Sequence, residues 1–208
     1  MRYYRFGILM ETLQKKHIEQ VRRWRNQEFI KVAMRFQDNI PQKDQIVWFN
    51  NLDPRTNWYF VAFRNGNPIG LFQIKNINWN KKNGESGGFV AHQKSIGSLD
   101  VGLSIMALMD FAFLVLELDK LYATYNFKFN QIVHLNQQLG FRAEKSAGGF
   151  TTATVTRDRY FHRTDDFHRA AEKLRGKQVL IKHPDAIVRR KLLSKSVEER
   201  FEQIQILK

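Results

Sequence analysis

The chain has no cysteine among its 208 residues, which excludes a disulfide framework, a thiolate metal site and a cysteine nucleophile. Its six histidines show no i, i+4 pairing of the kind that ligates a metal from one helix face, so no metal is expected. Long apolar runs are missing as well: the best candidate, 103–118, falls short of the roughly 18 residues of a membrane span and is interrupted by Asp110 and Glu117. The first residues, Met1-Arg-Tyr-Tyr-Arg-Phe6, contain no apolar h-region before a small-residue cleavage site, and a cytoplasmic protein is the simplest expectation. Acidic residues are few, 20 against 34 Lys and Arg, giving a net charge of +14 and a pI near 10.1. That excess implies an anionic partner, with RNA and phosphorylated small molecules both compatible; no RNA-binding signature accompanies it, so RNA contact is not favoured.

What is present is a globular composition. With 43% hydrophobic and 13% aromatic residues the chain can bury one substantial core, read here as a main domain over 1–155 and a basic, mostly helical extension over 156–208. From Glu11 to about Met34 the apolar residues Leu13, Ile18, Val21, Trp24 and Phe29 recur at helical spacing, predicting a helix with Thr12 as its N-cap. Pro41 opens a second short helix, expected to bury Ile46, Trp48 and Phe49 and to end before Asp53-Pro54. The period then changes to two. The runs Trp58–Phe63 and Pro68–Ile74, joined by Asn65-Gly66-Asn67, read as a β-hairpin, and a third strand follows the polar turn Asn80–Gly84.

The segment Glu85–Phe141 is the most informative. Glu85–Ala91 reads as a strand, Gly97-Ser-Leu-Asp-Val-Gly102 opens a helix over about 103–117, Lys120–Tyr125 is a strand, and Asn130–Phe141 is a helix closed by Gly140. A helix start aims unpaired backbone N–H groups and a positive dipole end at an anion, so this order suggests an acyl-CoA site. Phe150–Val155 reads as a last strand. Beyond it come a helix over Asp165–Leu174 stopped at Gly176, a break at His183-Pro184, and a final helix capped by Ser196 with Glu199 completing a capping box. Apolar residues such as Val179, Ile181, Ile187 and Leu192 argue that this tail packs rather than being disordered. It covers the sheet, forms a homodimer contact, or presents Arg189-Arg-Lys191 to an anion, with packing the favoured reading.

Asp110-Phe-Ala-Phe113, Leu118-Asp-Lys-Leu-Tyr122 and Leu135-Asn-Gln-Gln-Leu-Gly-Phe141 fall in the order seen in GNAT-type N-acetyltransferases, and the chain resembles that superfamily over roughly its first three quarters. His17–Asn26, Met34 and Gln45–Phe49 resemble the opening of the subgroup that holds nucleotide-amino-sugar acetyltransferases, of the pseudaminic-acid-pathway type, and ribosomal-protein N-terminal acetyltransferases. The resemblance implies an α/β (α+β) fold: a mixed, mostly antiparallel central sheet flanked by helices, here with a helical C-terminal extension. It also implies direct acetyl transfer from acetyl-CoA to a primary amine, that of a nucleotide-linked amino sugar in surface-glycan synthesis. The alternatives are a protein N-terminal acetyltransferase and a non-catalytic acyl-CoA or nucleic-acid binding module.

The same resemblance assigns residues. Glu85 takes the proton of the attacking amine, directly or through water. Phe89 and Val90 hold the pantetheine arm, and Gly97, Ser98, Leu99, Asp100, Val101 and Gly102 hold the pyrophosphate through backbone amides. Leu99 and Val101 replace small residues there, and Asp100 repels phosphate unless it turns away or caps the helix, with Gln93, Lys94 or Ser95 offsetting its charge. Asn136 stands where relatives carry the Tyr that protonates the departing thiolate, which leaves three expectations: Asn136 hydrogen-bonds the sulfur, Tyr125 or Tyr122 substitutes as the phenol, or the thiolate leaves unassisted. Phe129 stands where an Asn contacts pantetheine, with Asn130 one place later. Arg25 and Asn26 face the acceptor, Arg25 being suited to grip a phosphate at two points. Trp24, Trp58, Tyr59, Phe60 and Phe63 read as core.

Overall fold

The computed structural model describes residues 1–192 and 204–207. It opens on a hairpin that the helical spacing concealed: strands β1 (Arg2–Arg5) and β2 (Ile8–Thr12) turn through Phe6 and Gly7, both at positive φ. Ile8 and Met10 alternate into the core, and β2 pairs along β3 (Trp58–Arg64). Thr12 is therefore a strand residue, and its hydroxyl accepts from the N-terminal ammonium of Met1 at 2.9 Å instead of capping a helix. The helix expected from Glu11 begins later, as α1 (Ile18–Arg25), and breaks at Gln27, whose backbone is extended, before the single turn α2 (Glu28–Lys31). Pairing with β3 outweighs local helical spacing because it buries one whole face of the segment.

Helix α3 (Gln42–Asn50) starts after Pro41 as expected. Its inward residue is Gln45, while Ile46 and Val47 are exposed and Trp48 lies edge-on to Tyr59. The expected hairpin is present as β3 and β4 (Asn67–Asn78), followed by β5 (Asn83–Val90). Helix α4 (Leu99–Asp110) runs on through a π-helical turn at Phe111–Val115, and β6 (Lys120–Asn126) and α5 (Asn130–Gln138) follow. Strand β7 (Arg142–Ala147) is exposed along its whole length at the sheet edge, so it has no apolar alternation to reveal it. It pairs with β8 (Phe150–Thr156).

The sheet has ten strands in the order β10-β9-β1-β2-β3-β4-β5-β6-β8-β7, where β9 is Val179–Lys182 and β10 is Ile204–Leu207. Every pairing is antiparallel except β5 with β6 and β9 with β10. The mixed, mostly antiparallel sheet matches the expectation. Helix α6 (Arg157–Arg175), capped by Thr156, is longer than the expected 165–174 and leads into β9 and then α7 (Ala186–Leu192). The tail thus contributes two strands as well as helices, and Ile181 and Val188 are fully buried in the main core. The helix expected from Ser196 lies outside the described residues.

The two sheet faces carry different loads. One holds the large core, in which Phe60, Phe72 and Ile74 pack under α4 and its π turn. The other holds a smaller cluster, with Val21 and Trp24 of α1 on Val61, Leu71 and Ala91. Beneath the large core lies a buried polar group: Asp110 accepts from Arg5 Nε at 3.0 Å, from Tyr160 Oη at 3.0 Å, and bonds His168 Nε2 at 2.9 Å. Gly70 permits the close approach of β4 and β5, since a Cβ there would lie 2.2 Å from the Phe89 carbonyl oxygen. Gly70→Ala is expected to push these strands apart and cost about 1–3 kcal/mol, seen as a lowered urea midpoint.

Candidate active site

The parallel pairing of β5 with β6 covers only Asn83–Glu85 against Lys120–Tyr122. Beyond Glu85 the two strands diverge, leaving Gly87 and Gly88 exposed on a strand edge that has no neighbouring strand. Backbone N–H and C=O groups on such an edge are ready to pair with an extended, amide-bearing ligand. Helix α4 begins at the far end of the same strand.

Alternation within the strands decides which side chains share this opening. Tyr59, Leu71, Gln73, Lys75, Glu85, Gly87 and Phe89 point to the α1–α3 side, where they line a cleft of about 670 Å³ together with Arg25, Arg35, Trp48 and Phe150. Glu85 sits at the point of divergence. Its carboxylate accepts from Lys75 Nζ at 3.1 Å and from Asn76 Nδ2 at 3.1 Å. Asn76 holds a left-handed backbone conformation at the β4 irregularity, which turns its amide toward Glu85. Tyr122 lies across from Glu85 in register. Burial, and then the nearby Glu85 charge, push the Tyr122 phenol above its usual value and raise Tyr59 to about 12. Both phenols therefore keep their protons at neutral pH.

Tyr125 falls on the opposite face, packed against the large core, with its phenol raised by burial. Tyr122, not Tyr125, shares the face of Glu85. Asn136 lies on α5, and its amide donates to the Ile132 carbonyl of its own helix at 2.8 Å. Asn130 is exposed in the first turn of α5, directly after Phe129 at the N-cap.

Helix α4 starts earlier than expected, so Leu99, Asp100, Val101 and Gly102 all lie within its first turn and Ser98 is the N-cap. Gly97 alone in this turn needs its glycine for backbone reasons, at φ 78°. The Ser98 hydroxyl accepts from the Val101 N–H at 3.4 Å, and the Gly102 N–H reaches the Ser98 carbonyl. Asp100 faces Arg175 of α6, with 3.6 Å between Oδ1 and Nη2, which offsets its charge beside a phosphate. Arg64, His92 and Ser95 join Ser98 and Asp100 around a second cleft of about 450 Å³ at this helix start. The first-turn amides of Leu99 and Asp100, a glycine at positive φ and two basic side chains suit the phosphates of CoA, whereas the Val101 and Gly102 amides are already bonded to Ser98.

On the acceptor side, Asn26 is committed to structure: its amide donates to the Ile40 carbonyl at 3.0 Å and accepts from the Ile40 N–H at 2.9 Å, fastening the loop that roofs the cleft. Arg25 does line the cleft, donating from Nη2 to the Phe36 carbonyl at 2.7 Å. Lys75 and Arg35 were not singled out by sequence, and Tyr59 and Trp48, expected in the core, line the cleft instead. The period of two separates Tyr59 from Trp58 and Phe60, but it does not say which face would bear a site. Among the described residues no group of three or more His, Cys, Asp or Glu is placed to hold a metal, and no helix is long and apolar enough to cross a membrane.

The sequence matches no protein-family model and no curated protein. Solved structures do match. Spermidine N-acetyltransferase from Vibrio cholerae, in complex with CoA and spermine, superposes with a TM-score of 0.67 at 16% identity, over 76% of this chain and 99% of that one. An uncharacterized protein from Bacillus halodurans gives 0.68 at 15% identity, over 79% and 91%. A domain from Methanocaldococcus jannaschii gives 0.64 at 15% identity, over 72% and 97%. At such identities the likeness establishes the fold, and the chain has the GNAT-type acetyltransferase fold.

Proposed function

We propose that this protein transfers acetyl from acetyl-CoA directly to a primary amine, that of a nucleotide-linked amino sugar. The observation that carries the reading is Glu85, held by Lys75 and Asn76 where β5 and β6 diverge, on the wall of a cleft large enough for a small-molecule acceptor. The residues present fit acetyl-CoA. The exposed edge at Gly87–Phe89 matches the amides of the pantetheine arm, and the start of α4 matches the pyrophosphate. The co-substrate supplies the activated acetyl group; the chain supplies position and proton handling. Glu85 accepts the proton that the amine must lose. Tyr122, protonated and on the same face, is the donor to the departing thiolate, in place of Asn136, whose amide is bonded within α5.

Calorimetric titration with acetyl-CoA, followed in the same sample by thiol release with a panel of nucleotide amino sugars, tests the function. Binding with turnover is expected, and absence of acetyl-CoA binding would overturn the reading. Tyr122→Phe is expected to lower kcat at least tenfold with acetyl-CoA affinity unchanged, whereas Tyr125→Phe is expected to leave kcat within about twofold. The reverse order would move the acid to the other face of the sheet.

A further inference from the structure

The charge of the acceptor cleft runs against the polycation named for the structural neighbour. Its charged lining consists of Arg25, Arg35, Lys75 and Glu85, three cations to one carboxylate, and that carboxylate is already paired with Lys75. A polyamine needs carboxylates for the ammonium groups that are not acetylated. Here it would meet guanidinium groups instead.

Arg25 is the informative member. Its Nη2 is satisfied by the Phe36 carbonyl, but its Nη1 is buried with no hydrogen-bond partner, and no carboxylate pairs with the group among the described residues. Burial without a counter-charge holds its guanidinium below the usual pKa. A buried guanidinium donor left open is costly unless something fills it. An anionic ligand that draws the guanidinium toward the cleft gives it a charge-assisted partner. Arg35 lies on the same cleft, its guanidinium 5.0 Å from the Phe150 ring centroid, with no acceptor of its own among the described residues. Trp48 and Tyr59 add aromatic wall beside them, and the volume of about 670 Å³ leaves room for more than a bare phosphate.

We infer that Arg25 and Arg35 form an anion seat that selects an acceptor carrying a phosphate-type group alongside its amine and that excludes polyamines. This rests on the acetyltransferase reading for its biological meaning, but the seat is tested by binding alone. The loop carrying Arg35 is fastened to α1 through Ile40, so both arginines are held on the lining of the same cleft. Glu85 lies on the strand side of the same cleft, which places the amine between base and seat.

The test is calorimetric titration of the full chain with UDP, with spermidine and with acetyl-CoA, for the wild type, Arg25→Gln and Arg35→Gln. UDP is expected to bind the wild type, to weaken at least about tenfold in Arg25→Gln and a few-fold in Arg35→Gln, with spermidine neither binding nor competing. Acetyl-CoA affinity is expected to be equal in all three, which also shows that the variants are folded. Equal UDP affinity in all three proteins would place the nucleotide elsewhere and overturn the seat. So would spermidine binding more tightly than UDP, or acetyl-CoA binding without UDP binding. Arg25-dependent UDP binding without acetyl-CoA binding would leave the seat standing and sink the acetyltransferase reading instead.

Discussion

Glu85→Gln is expected to lower kcat by about 10²–10⁴ while leaving acetyl-CoA affinity unchanged, because a positioned general base contributes that much and an amide cannot take the proton. The substitution preserves shape, so Asn76 Nδ2, 3.1 Å from the carboxylate in the wild type, keeps an oxygen acceptor. Lys75 loses its ion-pair partner, yet that pair is partly solvent-exposed and contributes little to stability. Rate and fold are therefore separable in this variant. Single-turnover kinetics at saturating acetyl-CoA, beside a urea melt, would check both, and an unchanged kcat would remove Glu85 from the role of base.

Asp110→Ala is expected to be the most destabilising single change, at about 3–5 kcal/mol, because it removes one of two carboxylates from a buried guanidinium and the shared partner of two further buried polar groups. The Asp110 side chain is fully buried and that of Arg5 is 6% exposed. Arg5 would keep Glu172 at 2.8 Å and the Lys177 carbonyl at 3.0 Å but lose the more deeply buried of its two carboxylates. Tyr160 and His168 would each lose their bond to the carboxylate as well. The urea midpoint should fall by about 1–5 M, for a slope of roughly 1–3 kcal/mol/M. A shift of under about 0.3 M would show that the network is dispensable.

The same variant should alter the pH dependence of stability. Burial by itself lowers the His168 pKa, but its hydrogen bond and charge interaction with Asp110 outweigh burial and raise it. A raised imidazole pKa contributes stability that is complete below its unfolded value, about 6.5, and that is lost as pH rises through the folded one. The wild type should therefore lose part of its stability between neutral and mildly alkaline pH. In Asp110→Ala burial and the Arg5 charge are opposed only by the Thr164 backbone hydrogen bond, so that decline should shrink, and a decline of the same size in both proteins would exclude His168 as its source.

The element order from β3 to β8 was legible because period-two runs, a glycine turn and an amphipathic helix each leave a local signature. Gly97 stood out for that reason, whereas Glu85 was marked by its resemblance to the strand carboxylate of acetyltransferases. β7 did not, since Arg142–Ala147 is polar on both faces at an edge where nothing is buried. β1 and β2 were hidden beneath a helical spacing that partner strands override. The extent of helix around 97–102 was also misread, as Ser98 caps earlier than the glycines implied.

By itself the sequence determined the class of fold, the absence of cysteine chemistry, the basic charge, and the strand that carries Glu85. Tertiary structure alone decided that Tyr122 and not Tyr125 shares its face, that Asn26 is spent on the Ile40 loop, and that Arg5 meets Asp110 across 105 positions. It likewise decided that Arg25 keeps an open buried donor over a cationic cleft. The reason is that spacing along a chain records only which way a side chain points relative to its neighbours. Which partner it then faces, and whether water is left there, depends on strands and helices brought together from distant parts of the sequence.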